Sequence, residues 1–297
     1  MLTYAKIAKN PKLFQSLTGL SLPAFEKAYD ADLVRRDEHK AEARQRQRGG
    51  GRRSTMPEMA DKLVFILVYF RLYPVQVLQG FLFDLSQPQA NEWIHRLTPV
   101  LNEALGYEQQ LPARRAKDIE AVLEACPGLE FMIDGTERPV RRPKDDEQQR
   151  AKYSGKKKRH TVKNNIITDK QTGKVKGLSA TVDGRTHDKK LADEQALSFP
   201  TGSKLWQDTG FQGYAPDGVI VIQPKKKPRG RQLTYADKDR NRRISSGRIY
   251  VEHTIGGVKV FSIVQDIFRH LKTDFADLVM ETACGLHNLR LDFPINR

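Results

Sequence analysis

Cysteine is scarce: the 297 residues hold two, Cys126 and Cys284, far apart and in no CxxC pattern. That excludes a disulfide framework, and the pair reads as small buried hydrophobes in a cytoplasmic protein. None of the seven histidines stands at zinc-finger spacing from a cysteine. No stretch approaches ~18 uninterrupted apolar residues, so no membrane-spanning helix is expected. The opening MLTYAKIAKNPKLF carries lysines but no apolar core of a secretion signal. Acid is also in deficit, with 36 Asp and Glu against 51 Lys and Arg and a net charge of +15. Such a surplus favours a polyanionic partner, most commonly nucleic acid. Apolar residues are not lacking: at 38%, spread along most of the length, they suffice for a core and exclude global disorder. A chain this long exceeds one average domain.

Three segments follow from the patterning. Residues 1–55 hold short helices around Pro11–Leu17 and Pro23–Tyr29, then a charged stretch at 36–53 with three glycines near its end, which reads as a solvated helix entering a linker or as a phosphate-contacting arm. Residues 56–110 are strongly helical. Leu63, Val64, Ile66, Leu67 and Phe70 form one apolar stripe, and Val75, Val77, Leu78 and Phe81 are the apolar positions of a second helix after Pro74. Ser86 with Gln89 is a capping-box pattern that opens a third helix. Its Ala90, Trp93, Ile94 and Leu97 point inward and leave Gln87, Gln89, Asn91, Glu92, His95 and Arg96 facing out. Two helices joined by a short turn, the second presenting Gln, Asn and Arg, form what a helix-turn-helix needs to read base edges; any amphipathic bundle helix also has a polar face.

Beyond a helical connector at 107–125, the period changes to that of strands. Short apolar runs at Leu129–Asp134 and Lys204–Asp208, a hairpin of Lys158–Thr168 with Val175–Val182, and a strand at Gly218–Ile222 alternate with a helix at His187–Leu197. Mostly helical segments at Thr234–Val264 and Phe275–Leu291 close the chain. The order is mixed α/β and fits a ribonuclease-H-like sheet for residues 125–297, although other folds share the pattern.

Asp134 and Asp208 each close an apolar run, and in a ribonuclease-H-like sheet the first and fourth strands are neighbours, so the two carboxylates would converge. Glu252 sits on an expected helix where Arg248, Glu252 and Lys259 fall within roughly 40° of one line. Converging carboxylates suit Mg²⁺, which takes hard oxygen ligands, and a pair of such ions suits in-line phosphoryl displacement. Taken singly, an Asp before Gly is a turn former and Glu252 an ion-pair partner for Arg248. The run Lys156, Lys157, Lys158, Arg159, His160 and the run Lys225–Arg231 read as DNA-facing or as solvated charge.

Together, Asp134-Gly-Thr-Glu-Arg-Pro-Val140, Tyr153-Ser-Gly-Lys-Lys-Lys-Arg-His160, Asp208-Thr-Gly-Phe211 and Arg248…Glu252…Lys259 resemble the DDE transposases of bacterial insertion sequences, in the insertion-sequence-five family and its Harbinger-like relatives. The resemblance covers residues 56–297. It implies an all-α helix-turn-helix domain followed by a ribonuclease-H-like catalytic domain, with Asp134, Asp208 and Glu252 as catalytic and metal-binding acids. It further implies two Mg²⁺ ions, with Mn²⁺ able to substitute, and cleavage and joining of double-stranded element ends and target DNA by a homo-oligomer in the bacterial nucleoid. Ser245 stands where the family's helix signature has tyrosine, which puts a DNA contact in question. Asp188, in Gly184-Arg-Thr-His-Asp188, competes with Asp208 for the second position but is expected to cap a helix. The alternative is a domesticated relative that binds DNA and no longer cuts it.

Overall fold

The computed structural model describes residues 1–30, 55–272 and 274–294, so the charged stretch at 36–53 lies outside the described residues. The chain divides into two compact units, Met1–Leu111 with Val258–Asp266 and Leu271–Arg297, and Pro112–Gly257 with Ile267–His270. In chain order the helices are α1 (Tyr4–Ile7), α2 (Pro11–Thr18), α3 (Leu22–Asp30), α4 (Met59–Leu72), α5 (Gln76–Phe83) and α6 (Gln87–Tyr107). They continue as α7 (Ala116–Glu124), α8 (Asp146–Lys152), α9 (Asp188–Gln195), α10 (Tyr235–Val258) and α11 (Phe275–Asp292).

The first unit is helical. Residues Leu63 to Phe70 of α4 are all buried, so this helix is a core helix rather than an amphipathic one. α6 begins with the capping box read from the sequence: Ser86 Oγ accepts from Gln89 N, and the Gln89 side chain accepts from Ser86 N. Asp84 adopts the left-handed conformation at the end of α5. Leu85 N then bonds Gly80 O, and a Cβ on Gly80 would lie 2.4 Å from Leu85 O, so the turn between α5 and α6 closes only over glycine. This tight turn rotates α5 away from the sequence expectation. Val77 and Phe81 are 67% and 79% exposed, whereas Gln79, Gly80 and Phe83 are buried, with Gln79 Nε2 donating to Phe65 O. The C-terminal α11, which the sequence places in the third segment, packs in this unit. Asn102 of α6 donates to Glu281 and Thr282, and Asn288 donates to Gln110 O.

The second unit is built on a sheet of β1 (Glu130–Pro139), β2 (Tyr153–Ser154), β3 (Arg159–Asp169), β4 (Val175–Leu178), β5 (Val182–Asp183), β6 (Lys204–Trp206) and β7 (Ile220–Ile222). The order is β2-β3-β1-β6-β7, with β4 and β5 also paired to β3. β1 runs antiparallel to β3 and parallel to β6, which runs parallel to β7. This mixed sheet is ribonuclease-H-like, as expected. One face is closed by α7 and α9: Ile119, Leu123 and Ala192 pack with Phe131, Ile133, Ile167 and Leu205. By strand alternation Met132 and Asp134 point to the other face. On α10, a Cβ on Gly247 would lie 2.5 Å from the Trp206 ring of β6, and Thr254 Oγ1 donates to Gly173 O after β3. Glycine at 247 lets the helix approach the strand, and Arg248 follows it directly.

Candidate active site

The β1 and β6 ladder ends at Met132 paired with Trp206, and Asp134 and Asp208 each stand two residues further along. Parallel strands in this register bring both residues to the same level just past the end of the β1–β6 ladder. The sequence reading ends the first strand at Asp134, whereas β1 continues through Pro139 because it stays paired with β3, so Asp134 lies within the strand. Asp134 Oδ1 accepts from Gly135 N at 2.8 Å within β1, and Asp208 Oδ1 accepts from Gly210 N at 2.7 Å, where it caps the short turn that follows β6. Arg248 Nη2 lies 3.6 Å from Asp134 Oδ2, with the two side chains 13% and 18% exposed. The guanidinium expected to grip phosphate is thus turned onto the first acid.

Burial pushes the Asp134 carboxyl up to about 6; Arg248 pulls it down, and the negative charges of Asp208 and Asp188 raise it further. In the folded protein this proton is held more tightly than in the unfolded chain. Stability is therefore full below about pH 4 and falls as pH rises through about 6. Asp134→Asn removes the charge but keeps the shape. The metal-free variant is expected to gain ~2–3 kcal/mol of unfolding free energy at pH 8, from a shift of about two pKa units discounted for residual exposure. The gain should shrink by about half at pH 5. Denaturant melts of both proteins across pH 5–8 check this, and a pH-independent difference or a loss of stability would contradict it.

Asp188 is a third carboxylate beside the two. It is not the cap of α9: His187 holds that position, and Asp188 is the first helical residue. Ideal Cβ atoms on Gly135 and Gly210 would lie 2.6 Å and 3.0 Å from the Asp188 carboxylate oxygens, so it fills the space between β1 at Gly135 and the turn after β6 at Gly210. Lys163 Nζ, on a side chain 8% exposed, lies 2.9 Å from Asp188 Oδ1 and 3.6 Å from Glu137 Oε1, and it donates to Thr186 O. The sequence reading overlooked Lys163 and Glu137. The signal was the polar run Lys163-Asn164-Asn165 set between Val162 and Ile166-Ile167; Asn164 Oδ1 also accepts from buried Arg138 at 2.9 Å.

Glu252 is exposed, one helical turn beyond Arg248, and is not among the charges acting on Asp134. Among the described residues, no group of three or more His, Cys, Asp or Glu side chains stands ready to hold a metal ion. Lys259 lies one residue past the end of α10 and in the first unit, so the single line expected for Arg248, Glu252 and Lys259 ends at Val258.

Comparison with known proteins decides the family. The model described as "DDE superfamily endonuclease" matches residues 133–288, more than half of the chain. The chain is a member of the DDE superfamily endonucleases. The model for the helix-turn-helix of the same superfamily matches residues 56–106. The chain is also 27% identical, over 94% of its own length and 94% of the relative's, to a protein of Microchaete diplosiphon named as a probable transposase for insertion sequence element IS702. No solved structure matches it significantly.

In this member of the superfamily the side chains of the helix-turn-helix region have particular commitments. Gln87 Nε2 donates to Gln76 Oε1 at 2.6 Å, and Gln76 Nε2 to Asn91 Oδ1 at 2.8 Å, which joins the tips of α5 and α6 in one amide chain. Gln89 is occupied by the capping box. Trp93 is only half-buried and carries Arg96 at 4.8 Å and Lys62 at 5.5 Å over its ring. His95, expected to face out, is half-buried with its ring 4.4 Å from that of Phe275, and burial pushes its pKa down with Lys272 adding to the effect. In the second unit, Lys156, Lys157, Lys158 and Arg159 are exposed at the β2–β3 turn, and His160 is half-buried beside Tyr153. In the loop after β7, Lys225 Nζ pairs with Asp237 at 2.9 Å. Among the described residues no helix is long and apolar enough to cross a membrane.

Proposed function

We propose that the protein is a DNA transposase that binds element ends through its helix-turn-helix and cuts and joins DNA at Asp134, Asp208 and Glu252. The observation that carries this reading is the register of β1 with β6, which sets two carboxylates at the same level of adjacent parallel strands with Arg248 beside one of them. The donor chemistry fits a divalent cation. Asp134 is a desolvated carboxylate whose burial lifts its pKa to about 6 despite Arg248 beside it, and Asp208 lies near enough to raise it further. Asp134 and Asp208 would hold Mg²⁺, with Mn²⁺ able to substitute, and Glu252 would complete a two-ion site. Bound ions supply Lewis-acid charge to the scissile phosphate and to the attacking oxygen. The chain's own part is to aim the acids. Gly135 N and Gly210 N fix their rotamers, Arg248 balances Asp134, and the Lys163–Asp188 pair fills the space between Gly135 and Gly210. The direct test is cleavage of DNA carrying the element's ends, with and without Mg²⁺ or Mn²⁺; absence of cleavage with both ions would leave a DNA-binding protein without nuclease activity.

End recognition should be separable from cutting. Asn and Gln bond adenine bidentately in the major groove, each pair giving ~1–3 kcal/mol of discrimination. Gln89 is committed to its cap and Arg96 to Trp93, so Gln87 and Asn91, pre-arranged by Gln76, are the better readers. Gln87→Ala with Asn91→Ala is expected to reduce the preference for element ends over scrambled DNA by about tenfold or more, with non-specific cleavage retained. Footprints of the double variant on both DNAs measure it, and unchanged discrimination would return α6 to a bundle surface.

A further inference from the structure

Away from the acids, the second unit has a basic, aromatic-walled pocket to which no role has been given. Arg142, Gln149, Arg150, Tyr153, His160 and Arg185 line a cavity of about 510 Å³. Its walls come from four separate pieces of chain: the segment after β1, α8, the β2–β3 hairpin and the loop before α9. The pieces are tied together. Arg142 Nε donates to Gln149 Oε1 at 2.8 Å, and Arg185 N donates to Ala151 O at the end of α8. Gly184 presses the loop onto β3, since a Cβ there would sit 1.9 Å from Thr161 Oγ1. Tyr153 is 44% exposed, with its ring 5.7 Å from the His160 ring in a T-shaped arrangement.

The lining combines three guanidinium groups with no carboxylate, one exposed aromatic face, and an amide and an imidazole as hydrogen-bonding groups. Guanidinium forks recognise phosphate oxygens. An exposed tyrosine ring is a stacking platform for a base, and amide and imidazole groups can meet a base edge. A phosphate of an intact duplex needs only the arginines and would leave the ring and the amide idle. A volume in the range of small-ligand sites accommodates a whole nucleotide. Asp134 faces Ile166 across β1 and β3, while His160 lies six residues further down β3, so the pocket is about 20 Å along the strand from the acid. That is about six base-pair rises.

We infer that this pocket holds one unpaired nucleotide of the bound DNA, with its phosphate on Arg142, Arg150 and Arg185 and its base against Tyr153. The inference rests on the transposase reading for the DNA itself, but not on the catalytic acids. The probe is a duplex carrying one 2-aminopurine opposite an abasic site, compared with the fully paired duplex, each titrated against the full-length protein at one salt concentration. The wild type should bind the unpaired probe about tenfold more tightly, the order that one stacked base confers, and the 2-aminopurine fluorescence should be quenched on binding. Tyr153→Phe should keep the preference and Tyr153→Ala lose it. Arg142→Ala with Arg150→Ala and Arg185→Ala should bring the two affinities within about twofold of each other. Lys156→Ala with Lys157→Ala, outside the lining, should weaken both duplexes equally. Equal wild-type affinity for the two probes, or equal losses on both from the arginine variant, would overturn the inference and leave a duplex-phosphate contact. Asp134→Asn should retain the preference, so a protein that prefers the unpaired probe but never cleaves would refute the catalytic reading alone.

Discussion

Asp134→Asn and Asp208→Asn should each lower metal-dependent DNA cleavage by about a thousandfold or more, with DNA binding kept within about twofold. The magnitude follows from the several kcal/mol of transition-state charge stabilisation that metal ions supply, at ~1.4 kcal/mol per tenfold in rate. Binding should persist because the basic surface of the β2–β3 turn and the helix-turn-helix are untouched. Paired with the stability gain expected of Asp134→Asn, the result would be a variant that is more stable and inactive, which simple misfolding cannot produce. Glu252→Gln and Asp188→Asn then separate the two candidates for the third acid. Glu252 matches the family motif but is exposed on α10, whereas Asp188 stands between Gly135 and Gly210 and is bound to Lys163. A loss with Glu252→Gln as deep as with Asp134→Asn makes Glu252 the third ligand. Near-normal cleavage by that variant, with a deep loss in Asp188→Asn, moves the role to Asp188. The readout is single-turnover cleavage in Mg²⁺.

Lys163→Met should cost ~3–5 kcal/mol of stability, the range for breaking a buried ion pair by removing one partner. Lys163, Glu137 and Asp188 have side chains only 8%, 8% and 18% exposed, so the two carboxylates would keep little water to replace the ammonium. The carbonyl of Thr186 would also lose its donor. Chemical denaturation should show the loss for the second unit's transition. Adding Asp188→Asn to Lys163→Met should recover part of it, because one uncompensated charge is then gone. A Lys163→Met protein of wild-type stability would mean that water reaches the trio and that Lys163 does not brace the site.

Much of the site was legible because strand ends and glycine leave local marks. Asp134-Gly135 and Asp208-Thr-Gly210 each close an apolar run, and β1 pairs with β6 where a ribonuclease-H-like order puts them. The capping box of Ser86 and Gln89 was readable for the same reason, since both partners lie within one turn of helix. The orientation of α5 was not legible. Its apolar residues Val77, Leu78 and Phe81 face outward because the turn closing over Gly80 sets the helix rotation, and a hydrophobic pattern of eight residues cannot overrule that geometry.

From the sequence alone came the family, the mixed α/β plan and the choice of Asp134 and Asp208 as candidate acids, because each depends on residues close together or on a short ordered motif. Only the tertiary structure decided that Arg248 faces Asp134 rather than solvent, that Asp188 fills the gap between Gly135 and Gly210 on a buried Lys163, and that three arginines converge on Tyr153. Those relations join residues tens of positions apart, and strand pairing and the close approach of α10 at Gly247 create them. Burial and charge pairing act through space, so a side chain's partner is settled by what the fold brings beside it.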